Sequence, residues 1–446
     1  MSLQKLTNIK IALIMVKGDV YRFDNRSFLF KHMPDSLTLG TLAGIIKNSF
    51  PDISIQIYDE TVGNIDKTKI DADLIGISAI TPAIYRAYEF ADYFREKGRC
   101  VFIGGVHATL CPQEVKEHSD SVICGLAEES LVSLIRDFQK GSIKDIYKQS
   151  ESMSFRGFPF PDRKIYERQN IFATELNMVH ATYGCTNMCC FCVQPQLCSG
   201  YHQRPIDDVI QEIKQIDDDY IEFIDPNLSK DENYLTNLCL ALIPLKKQWF
   251  APMTVSICNN EELLGLLKKS GCSGVLIGFE SVSQDSVKSL NKGFNRVDEY
   301  KNVVKKLHEY NIKVTGSFVL GLDSDDVSSF FKTQEFVISA NIDYVRYTIN
   351  TPYPGTKYFE KLKSENRIIT MDWSRYDCMH CVFVPKKLSP AELEYGYEQL
   401  WKYTYKFKNI VKRLSYLKNP LLFFKEVFIN WVFGKVYIKM MFKKNR

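Results

Sequence analysis

Three cysteines carry the most reactive chemistry this sequence can offer. Cys185, Cys189 and Cys192 stand in the stretch Tyr183-Gly-Cys-Thr-Asn-Met-Cys-Cys-Phe-Cys192, a C-x3-C-x2-C triplet. Thiolates are the usual ligands of iron–sulfur clusters, and a purely structural [4Fe–4S] cluster takes four of them. Three on one tight loop leave one iron open, and an open position turns a metal site into a reactive one. A four-thiolate zinc site with Cys198 as its fourth ligand is the competing reading. The triplet does not have the paired C-x2-C arms of a zinc ribbon, so the cluster is preferred. Cys190 and Cys198 read as ordinary buried thiols.

A loop of this kind needs rigid elements behind it. Residues 177–350 alternate strand-like runs (179–183, 220–224, 253–257, 274–279, 312–320 and 344–349) with helical patterns (206–216, 232–245, 261–269, 298–310 and 328–339). Six strand runs with helices between them suggest a partial (β/α)6 barrel, in which chemistry sits at the carboxyl ends of the strands. The cysteine loop follows the first of those strands. Residues 1–145 alternate as well, with strand runs at 9–16, 53–58, 73–79, 100–103 and 121–124 and helical patterns at 37–49, 83–97 and 127–139. Five strands separated by helices imply a parallel, doubly wound sheet. Ligands bind such sheets at the strand carboxyl ends, near the switch point. The polar and glycine-rich loops fall there: Ser78-Ala-Ile-Thr-Pro82, Gly104-Gly-Val-His-Ala-Thr109 and Gly125-Leu-Ala-Glu128. Gly157-Phe-Pro-Phe-Pro161 favours extended backbone and marks 146–176 as a linker.

The cysteine triplet resembles the signature of the radical S-adenosylmethionine (SAM) enzymes. In that family the open iron chelates SAM, and an electron from the cluster splits a C–S bond to release a 5′-deoxyadenosyl radical. The resemblance makes Phe191 the aromatic that packs by the adenine. Asp225-Pro-Asn227 after the second barrel strand resembles a motif lining the SAM site, and Gly278-Phe-Glu280-Ser281 resembles the Gly-(Ile/Val)-Glu-Ser motif after the fourth. SAM contacts are expected from Phe191, Asp225, Asn227, Ser256, Glu280 and Ser281. Capping of the next helix is the plainer role for Glu280. Lys292-Gly293 matches a later landmark and reads as a loop former.

The first domain resembles the cobalamin-binding domain that precedes the barrel in one large subfamily. The pattern runs through Leu37-Thr-Leu-Gly40, Ser78 to Thr81, Gly104 to Thr109 and Gly125 to Glu128. The resemblance implies cobalamin contacts from Leu39, Gly40, Ser78, Thr81, Gly104, Gly105, His107, Thr109, Gly125 and Glu128. Many cobalamin proteins supply a cobalt-ligating histidine from Asp-x-His-x-x-Gly. Here the position reads Asp59-Glu-Thr-Val-Gly63, without histidine. Base-off cobalamin with no histidine on its lower face is therefore expected, with His107 near the nucleotide tail or, more plainly, bracing its own turn.

The implied domains are 1–145 for cobalamin, 146–176 as linker, 177–356 as the radical SAM barrel and 357–446 as a helical region. The implied activity is radical C-methylation of a small, natural-product or lipid-like molecule at an unactivated carbon. A cobalamin-assisted rearrangement or oxidative ring closure is the alternative. No acid–base catalytic residue is singled out, because positioning and exclusion of water replace acid–base chemistry in such a site. An electron donor such as flavodoxin or ferredoxin is the expected partner.

Composition sets outer limits. The chain has 446 residues, enough for two or three domains, and is 45% hydrophobic and 25% charged. A net charge of +4 argues against a dedicated nucleic-acid binder and hence against a tRNA-modifying methylthiotransferase. A non-catalytic cobalamin or metal sensor is the other competing class. Thirteen cysteines without an export signal read as reduced thiols and metal ligands of a cytoplasmic protein. Cys378 and Cys381 form a further C-x2-C around His380, without obvious partner ligands for a second metal. The stretch 419–446 is apolar and aromatic with a basic end. It reads either as a helix packed on the barrel or as one lying in a membrane interface.

Overall fold

The computed structural model describes residues 9–18, 37–150, 153–169, 171 and 177–442. The chain divides into two compact units, one made of Met1–Met178 with Val193–Asp217, the other of Val179–Cys192 with Asp218–Arg446.

The first unit is built on a six-stranded sheet of β1 (Lys10–Met15), β2 (Ser54–Asp59), β3 (Leu74–Ser78), β4 (Cys100–Gly104), β5 (Ser121–Cys124) and β6 (Ile146–Lys148). The strand order is β2-β1-β3-β4-β5-β6 and every pair is parallel. Parallel strands need crossover helices that cover both faces, which is why β3 and β5 are runs of almost wholly buried residues. The main crossovers are α1 (Thr38–Ser49), α2 (Ile84–Glu96), the short α3 (Val106–Leu110) and α4 (Pro112–Glu117), and α5 (Ser130–Gln139). The order reverses between β1 and β3, so the loops after these two strands meet at the switch point. The sheet is thus the doubly wound one expected. Its sixth strand lies inside the stretch read as linker: three residues are too few to show an alternating pattern, and only pairing with β5 defines it.

The second unit carries β7 (Met178–Val179), β8 (Tyr220–Phe223), β9 (Gln248–Met253), β10 (Cys272–Glu280), β11 (Lys313–Leu320) and β12 (Tyr344–Ile349), with β7 shared at the boundary. They lie side by side in chain order, and the pairs from β8 to β12 are parallel. Sequential parallel strands with intervening helices α6 (Glu232–Leu242), α7 (Glu261–Lys269), α8 (Tyr300–Glu309) and α9 (Val327–Ser339) make the partial barrel. The layer between strands and helices is aromatic: Phe223 packs edge-on to Trp249, and Phe279 and Phe318 group with Phe336 of α9. Helices α10 (Lys357–Ser364), α11 (Pro390–Thr404), α12 (Phe407–Leu414) and α13 (Pro420–Met441) complete the unit.

Three expectations need correction. The strand placed at 253–257 is instead Gln248–Met253, and Val255–Asn259 is a 3-10 turn. Pro252 lies within the strand, and a proline there argues against a central strand on sequence grounds. The run 179–183 is not continuous: β7 ends at Val179, and a separate short strand, Thr182–Gly184, leads into Cys185. The helix expected over 206–216 spans Ile206–Ile213 and belongs to the first unit. Its Glu212 is buried between Arg163 and Arg204, with Arg204 Nη1 donating to Glu212 Oε2 at 2.6 Å.

Candidate active site and cofactor-binding loops

In the second unit the cysteine loop is fixed at both ends. The carboxylate of Asp225, 1% exposed, accepts hydrogen bonds from the Ala181 and Thr182 amides and from Thr182 Oγ1 at 2.6 Å. Those amides cannot also pair in the sheet, which is why the strand breaks before Cys185. Burial pushes the Asp225 carboxyl up to about 6 despite these donors. At the far end, the Cys190 amide donates to Leu290 O at 3.1 Å, and Tyr358 N donates to Cys190 O at 2.9 Å. Cys190 and Phe191 pack together on Leu290, Val319 and Leu322. Asn291 Nδ2 holds the Met188 carbonyl at 2.8 Å.

Between these anchors Cys185, Cys189 and Cys192 are half-buried. Burial pushes the Cys189 thiol up to about 12, and the charges of Cys192, Glu280 and Cys185 raise it further while Lys292 lowers it. Cys189 therefore keeps its proton unless a cation replaces it, and a coordinated metal deprotonates a thiol outright. The donor set fits an iron–sulfur cluster.

Glu280 ends β10 and Ser281 follows it. Glu280 sits in the left-handed region (φ 63°) at a register shift between Gly278 and Glu280. Its Oε1 is 2.6 Å from Lys292 Nζ, which also donates to Gly278 O at 2.8 Å. Both side chains are nearly buried. A Cβ at position 278 would lie 2.5 Å from Glu280 Oε1 and 2.6 Å from Lys292 Nζ, so a side chain there would push the ion pair aside. Lys292, read as a loop former, is therefore half of a buried ion pair beside the cysteines. A lone Lys-Gly pair carries no periodic signal for this, and only folding brings it to Glu280.

The remaining residues expected near SAM form a second group. Asn227 caps a 3-10 turn by accepting from Ser229 N and Oγ. Ser229 Oγ lies 3.2 Å from Thr254 Oγ1, which lies 2.8 Å from the exposed Ser256 Oγ. This row of hydroxyls follows β8 and β9 at their carboxyl ends. Sequence reading also passed over Asp377, whose Oδ2 meets His380 Nδ1 at 2.7 Å and holds its pKa above the usual histidine range. The neighbouring cysteines have separate protein partners: Cys378 Sγ is 3.4 Å from Tyr353 Oη, and Cys381 Sγ donates to Phe383 O at 3.1 Å.

In the first unit the predicted loops converge on the strand ends. Gly105 has φ 103°, and a Cβ there would lie 2.6 Å from Ala79 O, so the chain after β4 presses on the chain after β3. Thr109 Oγ1 donates to Gly105 O at 2.9 Å and accepts from Gly125 N at 2.8 Å, tying both glycine loops together. Ser78 and Gly104 are half-buried at the ends of their strands. Thr81 Oγ1 and Glu128 Oε2 are buried without a hydrogen-bond partner among the described residues, and burial pushes the Glu128 carboxyl up. A close-approach glycine beside orphaned buried polar atoms fits a large ligand with hydrogen-bonding groups, as cobalamin is.

Leu39 and Gly40 are buried in α1, where Gly40 O accepts from Asp162 N at 2.8 Å. His107 is wholly buried, with Nε2 3.6 Å from Glu114 Oε1, and burial lowers its pKa. After β2, Asp59 accepts from Thr61 and from Tyr166 Oη at 2.6 Å, and Glu60 pairs with Arg86 at 2.7 Å.

Comparison with known proteins agrees with this geometry. The family model described as "Radical SAM superfamily" matches residues 179–337. Bacteriochlorophyllide d C-12(1)-methyltransferase of Chlorobaculum tepidum is 32% identical over 380 residues, covering 81% of each chain. Bacteriochlorophyllide d C-8(2)-methyltransferase of the same organism is 26% identical, covering 86% of this chain and 89% of that one. Among solved structures, the radical SAM methyltransferase TsrM from Kitasatospora setae, with cobalamin and a [4Fe–4S] cluster bound, superposes with a TM-score of 0.65 at 13% identity and covers 89% of both chains. The fold is shared with TsrM, and the extent of the 32% match settles the family. The chain belongs to the cobalamin-binding radical SAM enzymes, which work with a [4Fe–4S] cluster, S-adenosylmethionine and cobalamin.

Proposed function

We propose that this enzyme transfers a methyl group to an unactivated carbon of a small molecule, and that tetrapyrroles are the first substrate class to assay. The observation that carries the reading is the half-buried three-thiol loop beside Glu280 and Lys292, in a chain alike over four-fifths of its length to a methyltransferase acting on bacteriochlorophyllide d. When bound, the cluster and SAM supply a radical that removes a hydrogen atom, and cobalamin supplies the methyl group.

The chain's own residues do the holding. Cys185, Cys189 and Cys192 ligate the cluster, and Asp225 fixes the backbone ahead of them. Phe191, Asn227, Ser256, Glu280 and Ser281 line the SAM side, with Lys292 setting the orientation of Glu280. The loops bearing Ser78, Thr81, Gly104, Gly105, Thr109, Gly125 and Glu128 receive cobalamin. Leu39, Gly40 and His107 complete the cobalamin contacts. The absence of a histidine from Asp59–Gly63 supports base-off binding.

The domain assignment that goes with this is 1–145 for cobalamin, 146–176 as linker, 177–356 for SAM and 357–446 as helical completion. A low-potential donor of the flavodoxin or ferredoxin kind supplies electrons in the cytoplasm, and the last helix is the element for peripheral membrane contact. The test is anaerobic incubation of reconstituted enzyme with methyl-labelled SAM and bacteriochlorophyllide d. A product heavier by one labelled methyl group is expected. A product that has lost hydrogen without gaining a methyl would redirect the chemistry to ring closure.

A further inference from the structure

Helix α13 has two contrasting faces. One is packed: Glu426, Val427 and Asn430 are buried, Tyr344 Oη donates to Glu426 Oε2 at 2.8 Å, and Arg413 Nη2 donates to Asn430 Oδ1 at 3.1 Å. Gly434 lies so close to Tyr405 that a Cβ would sit 2.4 Å from Tyr405 Cβ. These positions recur at helical spacing and account for the docking of α13 on its own unit. The opposite face is apolar, and nothing among the described residues covers it. Leu421 is 82% exposed, Phe424 68%, Phe428 62% and Trp431 40%, and Phe407 on neighbouring α12 is 60% exposed. Contiguous exposed aromatics of this size mark an interaction site.

Charge decides what covers the face. From Lys406 to Lys439 every exposed ionisable side chain is a lysine. The one acidic residue in that span, Glu426, is buried and faces the other way. The chain's net charge of +4 conceals this local excess. Large apolar side chains beside lysines on one exposed face combine the two attractions that hold a helix on anionic lipid, buried apolar area and charge. The rings enter the headgroup boundary, lysine stems run along it and the ammonium groups stay at the surface. No helix among the described residues is long and apolar enough to cross a membrane, so the helix lies on the surface instead.

We infer that the exposed face of α13, with Phe407, docks the enzyme on an anionic lipid bilayer, which gives the membrane contact named above its chemistry. A substrate as apolar as a tetrapyrrole then reaches the enzyme from the bilayer surface.

The test is flotation of the cofactor-loaded full chain with vesicles of phosphatidylcholine alone or mixed with phosphatidylglycerol. The protein should float with the anionic vesicles at low salt, and float poorly with the neutral ones or when salt screens the lysines. Each lysine near the surface contributes about fivefold in partitioning, so Lys425→Gln/Lys435→Gln/Lys439→Gln should lower binding by about 100-fold. A Phe424→Ser/Phe428→Ser/Trp431→Ser variant should stay soluble while keeping the wild-type circular dichroism and iron and cobalt content. Wild-type protein that remains soluble with anionic vesicles, or floats equally with neutral ones, overturns the inference. So does a solution dimer that the same serine variant converts to monomer, since the face would then join two copies. Iron, cobalt and methyl transfer are measured separately, so a failure here leaves the proposed chemistry untouched.

Discussion

Glu280 and Lys292 each stay buried because the other is there. Removing one partner of a buried pair strands the remaining charge and typically costs about 3–5 kcal/mol, whereas removing both is far milder. Lys292→Met should therefore destabilise the protein in urea unfolding much more than Lys292→Met combined with Glu280→Gln. Equal losses in the two variants would show that the pair is not coupled. Asp225 makes a different prediction. Its carboxyl is raised by burial from an ordinary value near 4 to about 6, so between those pH values the folded protein binds the extra proton. Stability from this group is present below about pH 4 and is lost as pH rises through 6. Asp225→Asn should flatten that part of the stability profile, and a profile of unchanged slope would remove the group from the account.

Elements position these residues through close backbone approach. Gly105 is left-handed and has Ala79 O where a side chain would begin, so Gly105→Ala combines strain of about 1–3 kcal/mol with a steric clash. We expect it to lower cobalt content after reconstitution while leaving iron in place, as measured by elemental analysis. How far such elements can be read from sequence depends on what defines them. β3, β5 and β10 are apolar runs bounded by turn residues, and their positions are plain in the chain. β9 is hidden by Pro252, and the break after β7 is imposed by a carboxylate more than forty residues away. The C-x3-C-x2-C loop is local and could be read directly. The Lys292–Glu280 pair depends on where loops meet, so no spacing announces it, whereas the Asp377–His380 contact is local, three residues apart in one turn.

For the whole molecule, the cysteines and the glycine loops belong to different compact units. Cys185→Ala combined with Cys189→Ala should therefore abolish bound iron and leave about one cobalt per chain, read from metal analysis and the visible spectrum. Loss of both metals together would mean that cobalamin is retained only through the cluster.

The chain passes from one unit to the other three times, at 178, 192 and 217. The first unit is incomplete until Val193–Asp217 has been made, because Arg163 and Arg204 find their shared carboxylate only on Glu212. At about 5–20 residues per second a ribosome reaches that segment seconds after finishing the first sheet. In that interval the cysteine loop has already emerged, ahead of the segment that completes the first unit. The order of synthesis therefore exposes three reactive thiols before either unit is whole, and newborn chains are most vulnerable to oxygen and stray metal at that stage.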